Sequence, residues 1–482
     1  MQPPAAPPTA PRAFDEMMTL RGRDAVAGGE VSIAGHDPFH PTPFRVGETT
    51  AAVLAAVGVA ANDIWQMRTG RRQQVTVDVR HAAATVRTVD YTRARDAAGG
   101  FEHVPIPPAM AHMLTVTQPW PTRDGRWFLP HLNLPHLSRR VLDVLQCDST
   151  PDAVRAAVAQ WDADALEDAI AAARACGGKI RTREEWLAHP QGRYLASRPV
   201  VEVDRSGDAP APAWTPHAAQ PLAGIRVLDL TRILAGPVAG RTLAELGADV
   251  LMVTAPHLPQ TPEHVRDTSH GKRSCFLDLR QADDARRMRA LIAEADVLVD
   301  GYRPGRLAAL GFDDATLRRL RPDLVHVSVS CFGAGGPWAD RAGWEQVAQA
   351  VTGVCETQGR ALGAGQPRLV FAPVCDYTTG YLAAYGTLLA LARRAGTGGG
   401  YRVRTALAGA AMLVQRQGMV EGFAAAPGRL DEDTLRPWLV QESSVYGELR
   451  TLGPALGLSE TPPRWQRPTP RLGGDAAAWL AR

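Results

Sequence analysis

Residues 221–256 read PLAGIRVLDLTRILAGPVAGRTLAELGADVLMVTAP. The apolar run at 227–230 is short enough for a buried strand, and 231–237 carries the Gly and Pro of a loop. Apolar residues then recur at helical spacing over 238–246, and 248–253 is a second strand. The runs at 275–279, 297–299 and 324–327 read as further strands, with helical stretches between them. Strands alternating with helices predict a parallel sheet covered by helices. Right-handed crossovers then gather the loops that follow the strands on one sheet edge. The loop after the first strand is TRILAGP and not G-x-G-x-x-G, which argues against a nicotinamide dehydrogenase on this scaffold.

The chain has 482 residues, too many for one compact core, so two or three domains are expected. Residues 1–14 are Pro- and Ala-rich and predict a disordered arm; 206–221 (SGDAPAPAWTPHAAQP) predicts a linker. The expected division is therefore 15–205 and 222–482. With 53 Lys and Arg against 50 Asp and Glu, the net charge of +3 gives no reason to invoke nucleic acid or an acidic membrane. The six cysteines form no CxxC pair and no metal-ligand spacing, as expected of reduced thiols in a cytoplasmic protein with no metal. The longest apolar run, 51–61, is too short to span a bilayer.

The two parts share a partial repeat. Residues 45–86 align without a gap on 373–414, and the stronger evidence is a common TG-x4-V-x6-AA-x2-V pattern. Each copy predicts an apolar helix, a TG turn and a strand entered through Val75 or Val403. The first copy continues into a strand at 127–134 and helices at 150–161 and 163–176, a smaller α+β domain. The second passes directly to SSVYGELRTLGPALGLSETPPRW. The first part lacks the sheet and the second lacks the small domain, so the two are expected to complement each other.

Further motifs follow the opening stretch in order: HGKRSCFLDL (270–279), ADVLVDGYRPG (295–305), LVHVSVSCFGAGGPW (324–338), GWEQVAQAVTG (343–353) and APVCDYTTGYLAAYGTLLALARR (372–394). Their order and wording resemble the family III CoA transferases, and the resemblance covers about half the chain. It implies a family III-like fold, a parallel Rossmann-like sheet domain with a smaller α+β domain. It also implies exchange of CoA between an acyl-CoA and a small carboxylic acid, with CoA as substrate and no permanently bound cofactor.

In that family an aspartate carboxylate is acylated and then carries CoA; the matching residue is Asp376. Read without the resemblance, an Asp at this position is an ordinary helix cap. Its place at a helix start suggests amides free for an oxyanion and a carboxylate kept ionised. Glu345 matches an acidic position near the nucleophile, with a capping or solvated carboxylate as the competing reading. By the same resemblance Leu234 and Ala235 line the pantetheine path. His270, Gly271, Lys272, Tyr302 and Arg303 flank the nucleotide, with Lys272 and Arg303 on phosphates; ordinary surface charge is the alternative for both.

The departures also matter. Related racemases carry a histidine where this chain has Trp344, so the proton-transfer pair for acyl-CoA racemisation is incomplete. The glycine-rich loop that covers the aspartate in some members has only Gly99-Gly100 as a poor counterpart. Glu48 occupies the repeat position of Asp376 and reads as vestigial, since its part has no sheet to bind CoA. A racemase and a non-catalytic acyl-CoA-binding protein stand as alternatives. Family members form interlocked ring dimers, so this chain could be a homodimer or a pseudo-dimeric monomer.

Overall fold

The computed structural model describes residues 12–214 and 218–481. Its centre is a seven-stranded sheet in the order Arg273–Phe276, Asp249–Thr254, Arg226–Asp229, Val297–Asp300, Val325–Ser330, Gly400–Ala406 and Val201–Gly207. The first six come from the second part of the chain and run parallel. Taken in chain order they lie 3-2-1-4-5-6, the doubly wound arrangement. The seventh is antiparallel and comes from the first part. Expected strands and helices fall within a few residues of those observed, and the stretch expected as a strand over 127–134 is a strand only over Trp127–Pro130.

The repeat is visible in three dimensions. Val46–Thr69 and Val374–Thr397 are both 24-residue helices. They pack against each other in one apolar core that takes side chains from both parts of the chain. The short run at 51–61 is the buried middle of the first helix. Each helix is followed by a strand, Val75–Asp78 or Gly400–Ala406, and then by a helix beginning at Val79 or Leu407.

The returning strands are exchanged between the parts. Val201–Gly207 pairs with the second copy's strand, and Leu456–Leu458 pairs with the first copy's, both antiparallel. A Cβ on Gly58 would lie 2.4 Å from Val75 and 2.8 Å from Leu456; one on Gly386 would lie 2.6 Å from both Val403 and Val201. The same glycine thus lets helix and exchanged strand meet in each copy.

Two expected disordered segments are partly ordered. Residues 1–11 lie outside the described residues, but Arg12–Arg21 is a helix with Ala13 and Met17 buried. It is tied down because Arg21 Nε is 2.7 Å from the buried Asp63 carboxylate. Of the expected linker, 206–207 complete the edge strand, and Trp214 lies beneath the Arg68 guanidinium at 4.4 Å. Residues 215–217 are outside the described residues. Among the described residues no helix is long and apolar enough to cross a membrane.

Candidate active site

In an open parallel sheet, ligands bind beyond the C-terminal strand ends where the strand order reverses. Here that point lies between Arg226–Asp229 and Val297–Asp300. The loops leaving these strands, 230–236 and 301–306, open onto a cavity of about 580 Å³. Its opposite wall is the small domain of the first part, through Leu134, His136, Leu137, Arg140 and Arg174. Neither part of the chain could build this cavity alone.

The loop after the first strand is held from below by a buried ion pair. Lys272 Nζ is 2.7 Å from Asp229 Oδ2 and donates to Pro237 O at 2.8 Å; Asp229 Oδ1 accepts from the Thr231 amide at 3.0 Å. Gly240 leaves the space, since a Cβ there would be 2.5 Å from Asp229 Oδ2. Ile233, in the loop so held, has φ 75°, a conformation that a β-branched residue rarely adopts. Arg174 on the facing wall has φ 54°. Such positions persist only where the surroundings fix them, and they gather at ligand sites.

Asp376 lines the cavity and is 8% exposed. Its height is set by Gly380 one turn on, where a Cβ would lie 2.6 Å from Ala235 O. The helix carrying Asp376 therefore lies directly against the loop that begins the Ala235–Glu245 helix. Among the described residues no group donates a hydrogen bond to the Asp376 carboxylate. Burial first, and then the nearby Glu345 carboxylate, push its pKa well above the ordinary range.

Glu345 explains why the helix start does not counter this. Its Oε1 accepts from Cys375 N at 3.2 Å and its Oε2 from Asp376 N at 2.7 Å. Val374 N and Tyr377 N are taken by Ala372 O and Pro373 O. All four first-turn amides are therefore engaged, so the expectation of free amides for an oxyanion is corrected, and the helix start does not hold the Asp376 pKa low. Glu345 is itself buried behind Asp376, fixed by Gln349 Nε2 at 2.7 Å, and does not line the cavity.

The other expected site residues divide. Leu234, Ala235, Tyr302 and Arg303 line the cavity. His270, Gly271 and Lys272 do not. Lys272 is wholly buried in its pair with Asp229, leaving no ammonium for a phosphate. His270 is also buried, stacked on Trp465 and 2.8 Å from Glu442, and Gly271 donates to Arg467 O at 2.9 Å. His270 and Gly271 thus hold the C-terminal segment to the sheet, while Lys272 holds the loop after the first strand. Gly99-Gly100 closes the exposed Arg93–Arg95/Phe101–His103 hairpin and is not in the cavity wall.

Sequence reasoning missed most of the cationic wall. Arg140, Arg174, Arg232 and Arg306 join Arg303 in lining the cavity. Arg140 and Arg303 reach Arg174 O at 3.1 and 3.5 Å, and Arg232 reaches Pro259 O at 3.0 Å. Among the described residues none of the five is paired with a carboxylate. Arg303 lies in the field of Arg140, Arg174 and Arg306, and with burial their like charge lowers its pKa. His136, also in the wall, is lowered by burial and by Arg140, Arg232 and Arg303. Arg232 belongs to the loop 232–237 that the family resemblance sets along the pantetheine path, though not as a cation, and Arg306 directly follows the ADVLVDGYRPG motif. Arg140 and Arg174 read as ordinary charges at helix surfaces and ends. Among the described residues no group of three His, Cys, Asp or Glu side chains could hold a metal ion.

A doubly wound sheet with a carboxylate and a cationic wall at its switch point is an arrangement suited to an anionic, nucleotide-like ligand. The profile of CoA-transferase family III matches residues 10–220 and 222–440, and the chain belongs to that family, as a CoA transferase. An acyl-CoA transferase of Gibberella moniliformis is 31% identical over 415 residues, 78% of this chain and 72% of the relative. An acetyl-coenzyme A transferase of Hypoxylon pulicicidum is 29% identical over 414 residues, 77% of this chain and 69% of the relative. A formyl-CoA:oxalate CoA-transferase of Streptomyces avermitilis is 35% identical over 222 residues, covering 44% of this chain and 54% of the relative. The fungal relatives thus align over both parts of the chain, and the bacterial one over about half its own length.

Proposed function

We propose that the protein moves CoA from an acyl-CoA thioester to a carboxylic acid by covalent catalysis at Asp376. The observation that carries this reading is the cavity itself, with an unbonded buried carboxylate at one end and five arginines without acidic partners at the other. The arginines suit the pyrophosphate and 3′-phosphate of CoA, because guanidinium binds phosphate through paired, charge-assisted hydrogen bonds. Loop 232–236 then borders the pantetheine arm on its way to Asp376.

The steps balance without an external acid or base. An Asp376 oxygen attacks the donor thioester carbonyl; the C–S bond breaks, leaving a mixed anhydride on Asp376 and CoA thiolate. The thiolate attacks the Asp376 carbonyl carbon, the C–O bond to the donor acyl group breaks, and the donor leaves as a carboxylate. Asp376 now carries CoA as a thioester. The acceptor carboxylate attacks that carbonyl and expels thiolate, which then attacks the acceptor's acyl carbon and restores the Asp376 carboxylate. Glu345 is a positioning residue that clamps the amides on which Asp376 stands. No proton need cross the site.

Racemisation of an acyl-CoA needs a base at the α-carbon. The position beside Glu345 is Trp344, which stacks on His131 at 4.9 Å. His131 is fully buried, held by Gln346 at 3.0 Å and pushed down to about 4 by burial. It does not line the cavity, and His136 sits among the arginines. The site therefore favours transfer.

We read the chain as two complementary half-copies divided near residue 221, forming within one molecule the interlocked arrangement that two subunits would otherwise make. A test of the chemistry is turnover with an acceptor acid labelled with heavy oxygen in its carboxylate. The mechanism leaves one acceptor oxygen on the enzyme per cycle, so the peptide containing Asp376 should gain one heavy oxygen in a single turnover and up to two as turnover continues. Product formation with no label in that peptide would sink the aspartyl route.

A further inference from the structure

The cavity that serves the proposed exchange has two chemically distinct poles, and the second indicates which acids it takes. At the cationic pole Arg140 and Arg303 both reach Arg174 O, at 3.1 and 3.5 Å, and Arg306, Arg232 and His136 stand in the same cavity wall. Among the described residues none of these arginines lies within ion-pair distance of the Asp376 carboxylate, and the charged group beside it is Glu345, whose Oε2 accepts from Asp376 N at 2.7 Å.

The residues around Asp376 form a compact group. The Ala408 amide donates to Cys331 O at 2.9 Å, bringing the start of the helix at Leu407 against Cys331. A Cβ on Gly343 would lie 2.2 Å from the Cys331 sulfur, so that loop closes on the same residue. Cys331 in turn lies within the field of Asp376 and Glu345, and with burial this raises its thiol pKa. Trp344 follows Gly343 and is held against His131. The wall at this pole is therefore Val329, Cys331, Ala342, Gly343, Trp344 and Leu407.

Two polar side chains complete it, and neither offers a free positive charge. Ser330 Oγ accepts from Gly333 N at 3.0 Å. The Arg341 guanidinium stacks on Trp338 at 4.3 Å and lies 3.8 Å from Glu167 and 3.5 Å from Asp168, so its charge is compensated.

We propose that this pole is the acyl subsite, and that it takes monocarboxylic acids with apolar side groups and rejects dicarboxylic acids. The proposal rests on the CoA-transferase reading of the same cavity. A second carboxylate on the bound acid would sit in an apolar pocket beside Asp376 and Glu345 with no cation to pair it, and such burial is costly. The acid that reacts loses its charge in the thioester; a remote carboxylate does not.

The experiment has two arms. In the first, acceptors matched in chain length, butyrate against succinate and pentanoate against glutarate, are compared by kcat/KM with acetyl-CoA as donor. The monocarboxylates should be favoured by about 100-fold or more, and Ala342→Lys should reduce the preference about 10-fold by supplying a cation. In the second, butyryl-CoA and succinyl-CoA are titrated into Asp376→Asn, where no exchange can occur, and butyryl-CoA should bind the more tightly. Turnover with dicarboxylates as good as or better than their partners overturns the subsite while leaving the transferase reading intact. No turnover by the unaltered protein, together with tighter butyryl-CoA binding, overturns the transferase reading and upholds the subsite. Equal binding of the two thioesters overturns the subsite whatever the turnover.

Discussion

The N-termini of the two long helices are built alike and end differently. At the first, Val46 N bonds Phe44 O, Gly47 N and Glu48 N bond the Asp37 carboxylate, and Thr49 N bonds Arg45 O. At the second, Val374 N bonds Ala372 O, Cys375 N and Asp376 N bond Glu345, and Tyr377 N bonds Pro373 O. The residues before the helices, Arg45 and Pro373, share the same turn, with φ, ψ of −78°, 66° and −77°, 62°. Burial disturbs both caps in the same sense: Asp37 is raised to about 6, chiefly by burial, and Glu345 is raised for the same first reason.

The difference lies in what the third-position carboxylate meets. Glu48 is 2.7 Å from Arg45, while the equivalent of that arginine in the second copy is Pro373. Glu48 lines none of the described cavities, whereas Asp376 opens into the large one. Beside Glu48 stand three strands, Val31–Ala34, Val75–Asp78 and Leu456–Leu458; beside Asp376 stand seven. A capped helix start is thus a scaffold that both copies retain. A cavity, and the absence of a neutralising cation, set one of them apart for chemistry. The first part of the chain contributes to the large cavity instead through Arg140 and Arg174, which form part of its wall.

Asp376→Ala should produce the largest change, a fall in kcat of about 10⁴-fold or more with the fold intact, since an unreplaced nucleophile leaves only binding. Steady-state exchange and circular dichroism would check both halves of that statement. Lys272→Met should cost stability, because one partner of a buried pair is stranded, by about 3–5 kcal/mol. Denaturant melts would read it, and a change in acyl-CoA affinity without loss of stability would return Lys272 to the phosphate role it was expected to have.

Arg140→Ala and Arg174→Ala should each raise KM for acyl-CoA about 10-fold with little change in kcat, as expected for lost charged hydrogen bonds remote from the reacting atoms. No change in either would break the claim that the first part completes the second part's site. A smaller effect concerns pH. Asp376 must be ionised to attack and its pKa is raised, so kcat/KM should fall as the pH drops through that raised value. Glu345→Gln removes the neighbouring charge, lowers the Asp376 pKa, and should move the acid limb to lower pH. A limb that stays in place or moves upward would contradict the repulsion between the two acids. The smallest effect is expected from Glu48→Gln, within about threefold of the unaltered rate, because Glu48 lines none of the described cavities and its partner is the adjacent Arg45.

The sheet was legible because its strands are short, fully buried apolar runs separated by clear helical periods, as in 227–230 and 248–253. The repeat was legible through its glycines and its TG turn, and the offset that aligns Val46 with Val374 also aligns the helix boundaries. Asp376 and the loop at Leu234–Ala235 were read from local motifs. Lys272 was misjudged for a physical reason: its neighbour in space, Asp229, is distant in sequence, and a lysine beside a glycine turn gives no sign of total burial. Arg140 and Arg174 could not be read at all. Their role depends on the small domain closing over a sheet edge built by the other part of the chain, and nothing in PHLSRRVLDVL or at Arg174 records that docking. The edge strand Val201–Gly207 was likewise hidden, since it abuts the Pro-rich stretch that sequence alone assigns to a linker.

The most direct test of one working site in a doubled scaffold is the number of carboxylates that become charged. The full chain would be incubated with an acyl-CoA donor, quenched with hydroxylamine, and examined by intact-mass and peptide mass spectrometry. One hydroxamate per chain, on the peptide holding Asp376 and absent in Asp376→Ala, is the predicted result. Modification of the peptide holding Glu48, or two equivalents per chain, would contradict it.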